Sequence, residues 1–155
     1  MIGCCLPDNM EEMQSDLSIK KEHSGGHIIQ NNVFRFNSTG IRVIGVNPNT
    51  VLIRNNVFQD NYHGLTINGA NVTVEENKFY SSTPDKVPVD GEVGNAIGVL
   101  PFSSMFRPGN APELKQDCFN ILIKGNTIEN ISEDIIIHNP DICNKIELIN
   151  NMIKK

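Results

Sequence analysis

The chain has 155 residues and a formal net charge of −5, with 39% hydrophobic and 20% charged residues. That is enough apolar content for one packed core and too little net charge for a disordered chain. Basic residues are scattered rather than gathered in a stripe, which excludes an electrostatically driven nucleic-acid binder, and no run approaches the roughly 20 apolar residues of a membrane-spanning helix.

Residues 1–26 read as a polar leader or a partial strand, with Leu17-Ser18-Ile19 as the remnant of an earlier strand. They contain no charged start followed by a long apolar run, so no signal peptide is recognised. The cysteines are Cys4, Cys5, Cys118 and Cys143, with no CxxC pair. Without that spacing no zinc site is expected, and no metal or cofactor is assigned. Cys118 and Cys143 read as two buried thiols rather than a bridge.

From His27 onward one motif recurs. His27-Ile28-Ile29-Gln30-Asn31-Asn32-Val33-Phe34 returns as Val51-Leu52-Ile53-Arg54-Asn55-Asn56-Val57-Phe58. The third copy is Val72-Thr73-Val74-Glu75-Glu76-Asn77-Lys78-Phe79. The fourth is Ile121-Leu122-Ile123-Lys124-Gly125-Asn126-Thr127-Ile128, and the fifth Ile146-Glu147-Leu148-Ile149-Asn150-Asn151-Met152-Ile153. The spacings between the aligned asparagines are 24, 21, 49 and 25 residues. A second element follows the first three copies and the fourth: Gly40-Ile41-Arg42-Val43, Gly64-Leu65-Thr66-Ile67, Ile97-Gly98-Val99 and Ile135-Ile136-Ile137. The step of 49 is one turn carrying two insertions, at about 80–95 and 101–119.

Each apolar segment is too short for a helix and alternates with period two. One such turn cannot bury its apolar side alone, whereas stacked turns pile equivalent residues into interior ladders. The expected stacks are Ile29/Ile53/Val74/Ile123/Leu148, Phe34/Phe58/Phe79/Ile128/Ile153 and Ile41/Leu65/Ile97/Ile135. Asn32, Asn56, Asn77, Asn126 and Asn151 are placed at the sharp bend, in left-handed backbone, each amide bonding the next. Leucine-rich repeats need a Leu-dominated consensus, and an antiparallel sandwich would not hold one motif in register over five copies. The fold class is therefore all-β: a parallel β-helix of about five turns, spanning 27–155. The chain stops just after a short strand with no amphipathic cap, so it reads as a fragment.

The repeat V/I-x-I-x-x-N-x-F/I resembles that of the right-handed parallel β-helix proteins, the superfamily of pectate lyases and related polysaccharide-active proteins. The resemblance covers roughly residues 27–155. It implies an internal Asn ladder and a substrate groove on the sheet formed by the Gly-led strands. It also implies a polysaccharide or glycan partner, with cleavage of glycoside-hydrolase or polysaccharide-lyase type, and an extracellular or cell-surface location. The alternative is a non-catalytic glycan-binding, adhesive or surface-structural module. The residues leave catalysis and oligomeric state open.

If Ile41 and Val43 point inward, Arg42 points out, and the same register exposes Thr66, Asn68 and His138. The two insertions flank this sheet as walls, and long loops on a rigid scaffold usually carry function. Asp85, Asp90, Glu92 and Asp117 are the catalytic candidates by location, because most glycoside hydrolases need a carboxyl pair. Arg42, Thr66, Asn68, Tyr80, Arg107 and His138 are the substrate-binding candidates. A lyase would instead use Arg42, Arg107 or Lys115 as base or uronate partner. His63 reads as an exposed loop histidine.

Overall fold

The computed structural model describes residues 26–82, 94–101, 118–138, 140 and 143–155. Twelve strands follow one another in it: β1 (Ile28–Gln30), β2 (Val33–Arg35), β3 (Thr39–Arg54), β4 (Val57–Gln59), β5 (His63–Glu75) and β6 (Lys78–Tyr80). Then come β7 (Asn95–Leu100), β8 (Cys118–Lys124), β9 (Thr127–Glu129), β10 (Glu133–Ile137), β11 (Cys143–Ile149) and β12 (Met152–Lys154). Every pairing is parallel. The fold is a right-handed parallel β-helix, the hand that parallel crossovers take.

Three faces run along its axis. The back face is a five-stranded sheet in the order β12-β9-β6-β4-β2. β3 and β5 each run round a corner, so their first halves join β7 and β10 as the front face. Their second halves join β1, β8 and β11 as the side face.

The three expected stacks all form. Ile29, Ile53, Val74, Ile123 and Leu148 are partners in successive strands, as are Phe34, Phe58, Phe79, Ile128 and Ile153. Ile41, Leu65, Ile97 and Ile135 complete the front. Phe58 and Phe79 stack with centroids 4.5 Å apart and planes 5° from parallel. The interior is aliphatic around them, with Ile53, Leu65, Ile67, Ile97, Ile121 and Ile123 fully buried.

The Asn ladder also forms, with one correction to its backbone. The left-handed residues are those just before it: Asn31, Asn55, Glu76, Gly125 and Asn150, with φ between 51° and 62°. The reason is directional. The bend residue turns its own side chain outward, and the residue after it can then aim an amide inward. Asn56 donates its backbone N–H to Asn77 Oδ1 at 2.9 Å, and Asn77 donates to Asn126 Oδ1 at 2.9 Å. Asn126 donates to Asn151 Oδ1 at 3.1 Å. Left-handed residues mark the other two corners as well: Phe36, Asp60 and Asn130 between back and front, and Asn71, Asn120 and Lys145 between front and side. At the second of these Asn120 Nδ2 donates to Asn71 Oδ1 at 2.7 Å.

The insertion bounds also shift. Tyr80 closes β6, Asn95 opens β7, and Cys118 and Phe119 belong to β8. Most of both insertions lies outside the described residues, as does Leu17-Ser18-Ile19.

On the back face Glu129 links three turns. Its Oε1 lies 2.8 Å from Lys154 Nζ and its Oε2 2.9 Å from Lys78 Nζ. Hydrogen bonds first from Lys154 and then from Lys78 hold its carboxyl below the usual range. A depressed folded value means that the stabilisation is present above the unfolded pKa and is lost as pH falls through the folded one. Acidification through the carboxylate range is therefore expected to loosen β12. Carboxyl NMR should show the Glu129 midpoint moving upward in Lys154→Ala.

Candidate functional site

The outward side of the front face is where polar groups gather. Its strands are brought into register by the interior stack, so outward residues align as strictly as inward ones. Arg42 pairs with Thr66, Thr66 with Gly98, and Gly98 with Ile136. Ile44 pairs with Asn68 and Asn68 with Leu100. His138 follows β10 and donates its backbone N–H to Val99 O at 2.9 Å. At the edge nearest the back face, Thr39 pairs with His63 and Asn95 with Glu133. Neighbours across these pairs sit one strand spacing apart, about 4.8 Å.

Alternation assigns a direction, but direction is not exposure. Thr66 is 5% exposed and Asn68 0%, so the expectation that both are open to solvent is corrected. Asn95 is 7% exposed. Its amide lies over Gly98, where an added Cβ would come 3.2 Å from Asn95 Nδ2. Glycine at 98 is what lets that amide lie down on the sheet.

These groups share an electrostatic peculiarity. Among the described residues, the buried polar atoms without a hydrogen-bond partner are Arg42 Nε, His63 Nδ1, both amide atoms of Asn68, Asn95 Oδ1 and Asp134 Oδ1. All five residues belong to the front face. Buried polar groups are nearly always paired, and each unpaired one costs about 1–3 kcal/mol. The ladder amides on the interior side are fully paired by contrast. Among the described residues, the unsatisfied donors and acceptors thus gather on this one face.

The structure therefore brings Arg42, Thr66 and Asn68 together on the front face, with His138 at its far strand. Tyr80 stands apart, on the back face, with Lys78 Nζ 4.9 Å from its ring centroid. Asp85, Asp90, Glu92, Arg107, Lys115 and Asp117 lie outside the described residues. His63 is corrected from an exposed loop residue to a half-buried first residue of β5, edge-on to Tyr62 at 4.5 Å. Asn95 and Asp134 were missed. Their signal was positional: Asn95 stands two residues before Ile97, as His63 stands before Leu65.

Among the described residues no three of His, Cys, Asp and Glu come together to hold a metal ion. Cys118 and Cys143 are thiols in parallel register, not a disulfide, but Cys143 is only half-buried rather than buried. No helix among the described residues is long and apolar enough to cross a membrane.

The family described as "Periplasmic copper-binding protein (NosD)" matches residues 6–99, more than half of the chain. No curated protein and no solved structure matches.

Proposed function

The chain belongs to the NosD family, and from that premise we propose that this β-helix holds a glycan along its front face, outside the cytoplasmic membrane. The observation that supports the reading is the gathering of unpartnered polar atoms on this face, at Arg42, His63, Asn68, Asn95 and Asp134 among the described residues, with Asn68 offering both amide atoms. An amide offers donors and an acceptor together, which is what a sugar hydroxyl needs. Thr66, Asn95, His63 and Arg42 add donors and acceptors of mixed sense around it. Leu100 and Ile136 supply apolar surface for the C–H face of a pyranose ring. A chain of sugars laid along the axis meets a new strand about every 4.8 Å. Arg107 and His138 are proposed to extend the contact. Asp85, Asp90, Glu92 and Asp117 are the groups proposed for acid–base work if the glycan is cleaved.

The test is Asn68→Leu, read for stability and for glycan-array binding. Replacing an unsatisfied amide by an apolar group of similar size should raise the unfolding free energy by about 1 kcal/mol. The same change should weaken binding at least tenfold. Unchanged binding, or no glycan bound by the wild-type chain, would sink the reading. Asn68→Asp, which keeps an acceptor but loses the donors, should fall between the two.

A second reading is copper binding, the property in the family's description. The observation favouring it is the pair of thiols in register, because thiolates prefer soft copper(I).

A further inference from the structure

The described helix starts with β1 and β2 and finishes with β11 and β12. Among the described residues each of these strands pairs on one side only, β1 with β3, β2 with β4, β11 with β8 and β12 with β9. The other side is an open edge whose N–H and C=O groups can pair with a further strand. Among the described residues, every exposed large apolar side chain stands at one of these two ends. Ile28 and Val33 are at the first, and Leu148, Ile149, Met152 and Ile153 at the last. Solenoids that stay apart in water cover such ends with polar caps.

The Asn ladder gives the two ends opposite hydrogen-bonding sense. From Asn32 through Asn56, Asn77 and Asn126 to Asn151, each residue donates its backbone N–H to the Oδ1 of the next, and its Nδ2 donates to the same atom. At the first end, Asn32 Oδ1 is left as an acceptor with no donor among the described residues. At the last end, the Asn151 N–H is left without an acceptor among them, and its Nδ2 reaches only Ile123 O. One end lacks a donor and the other lacks an acceptor. The interior columns finish in step with the ladder: Ile29 and Leu148 end one, Phe34 and Ile153 the other. A two-fold contact would set acceptor against acceptor or donor against donor. Only a head-to-tail contact joins the two.

We propose that the last turn of one copy of this chain docks on the first turn of a second copy, head to tail. β11 then pairs with the second copy's β1 and β12 with its β2. Asn151 donates to the second copy's Asn32 Oδ1, Leu148 covers its Ile29 and Ile153 covers its Phe34. The contact is heterologous and leaves one free end on each outer copy, so it continues into a rod instead of closing as a pair. Arg35 and Lys154 end one outward column and come together as like charges, so salt that screens them should strengthen the contact. The contact is independent of the glycan reading.

Sedimentation of the full chain over a range of concentrations tests it. The average mass should climb past that of a dimer as concentration rises. Met152→Glu/Ile153→Glu spoils the last turn only, and Ile28→Glu/Val33→Glu the first turn only. All four positions are exposed, so circular dichroism should match the wild type. Met152→Glu and Val33→Glu as single changes repeat the test should a double variant fail to fold. Each variant alone should stay monomeric. An equimolar mixture of the two should give a one-to-one dimer and nothing larger, through the single intact pair of ends. A wild-type chain that is monomeric throughout, as when residues 1–25 of the same chain cover the first turn, would overturn the proposal. Dimers of either variant alone, the mark of like-to-like contact, would overturn it as well.

Discussion

Asn77→Ala is expected to lower the unfolding free energy by about 3–5 kcal/mol, out of the roughly 5–15 that a domain of this kind holds. The side chain is 2% exposed. Its Oδ1 accepts from Asn56 N–H at 2.9 Å and from Asn56 Nδ2 at 3.1 Å. Its Nδ2 donates to the carbonyls of Ile53 and Glu75 and to Asn126 Oδ1, at 2.9, 3.0 and 3.0 Å. Truncation leaves the Asn56 N–H buried and unpaired, which costs about 1–3 kcal/mol, and it also removes the amide's bonds to the Ile53 and Glu75 carbonyls and to Asn126 Oδ1. Asn77→Asp should not rescue it, because a carboxylate would face two acceptor oxygens. Asn32→Ala, at the exposed end of the ladder, should cost under about 1 kcal/mol. Urea midpoints at constant slope measure all three, and equal losses at Asn32 and Asn77 would overturn the ladder's role.

Gly64→Ala is the second large effect, expected near 3 kcal/mol. A Cβ there would lie 2.6 Å from the carbonyl oxygen of Ala96 and 2.7 Å from Phe79 Cδ1. Gly40 stands in the same relation to Phe58, at 2.9 Å. One turn further, the ring stack gives way to Ile128, and the corresponding residue is Ala96 rather than glycine. A small residue on the front face thus matches a flat ring on the back. Phe79→Ile should therefore relieve part of the strain in Gly64→Ala, with a favourable coupling of about 1–2 kcal/mol in a double-mutant cycle. Strict additivity would show that the carbonyl contact alone sets the cost.

Much of this architecture was legible because the repeat carries it redundantly. Ile53 or Phe58 alone says little, but five copies of one spacing fix register, face and interior at once. The bend was misassigned by one residue because two asparagines often stand together there, as at Asn31-Asn32 and Asn55-Asn56. The third copy shows the division of labour: Glu76 takes the left-handed angle and Asn77 joins the ladder. The front face was legible in direction only. Period two sends Thr66 and Asn68 outward, yet both are buried in the fold, and no local pattern reports burial. The unpartnered amide of Asn68 and amide oxygen of Asn95 likewise exist only in three dimensions, because a partner's absence is not written in either residue.

The ladder has a consequence for how such proteins change over generations. Asn77 meets Asn126 across 49 residues at 2.9 Å, the same distance at which Asn56 meets Asn77 across 21. The rung does not register how much chain was spent between its two sides. Insertions at the ends of β7 can therefore be gained, lost or exchanged by recombination while the front-face register stays put. Selection can rework the chemistry around Asn68 and Asn95 by trading loops, without searching again for a sequence that folds.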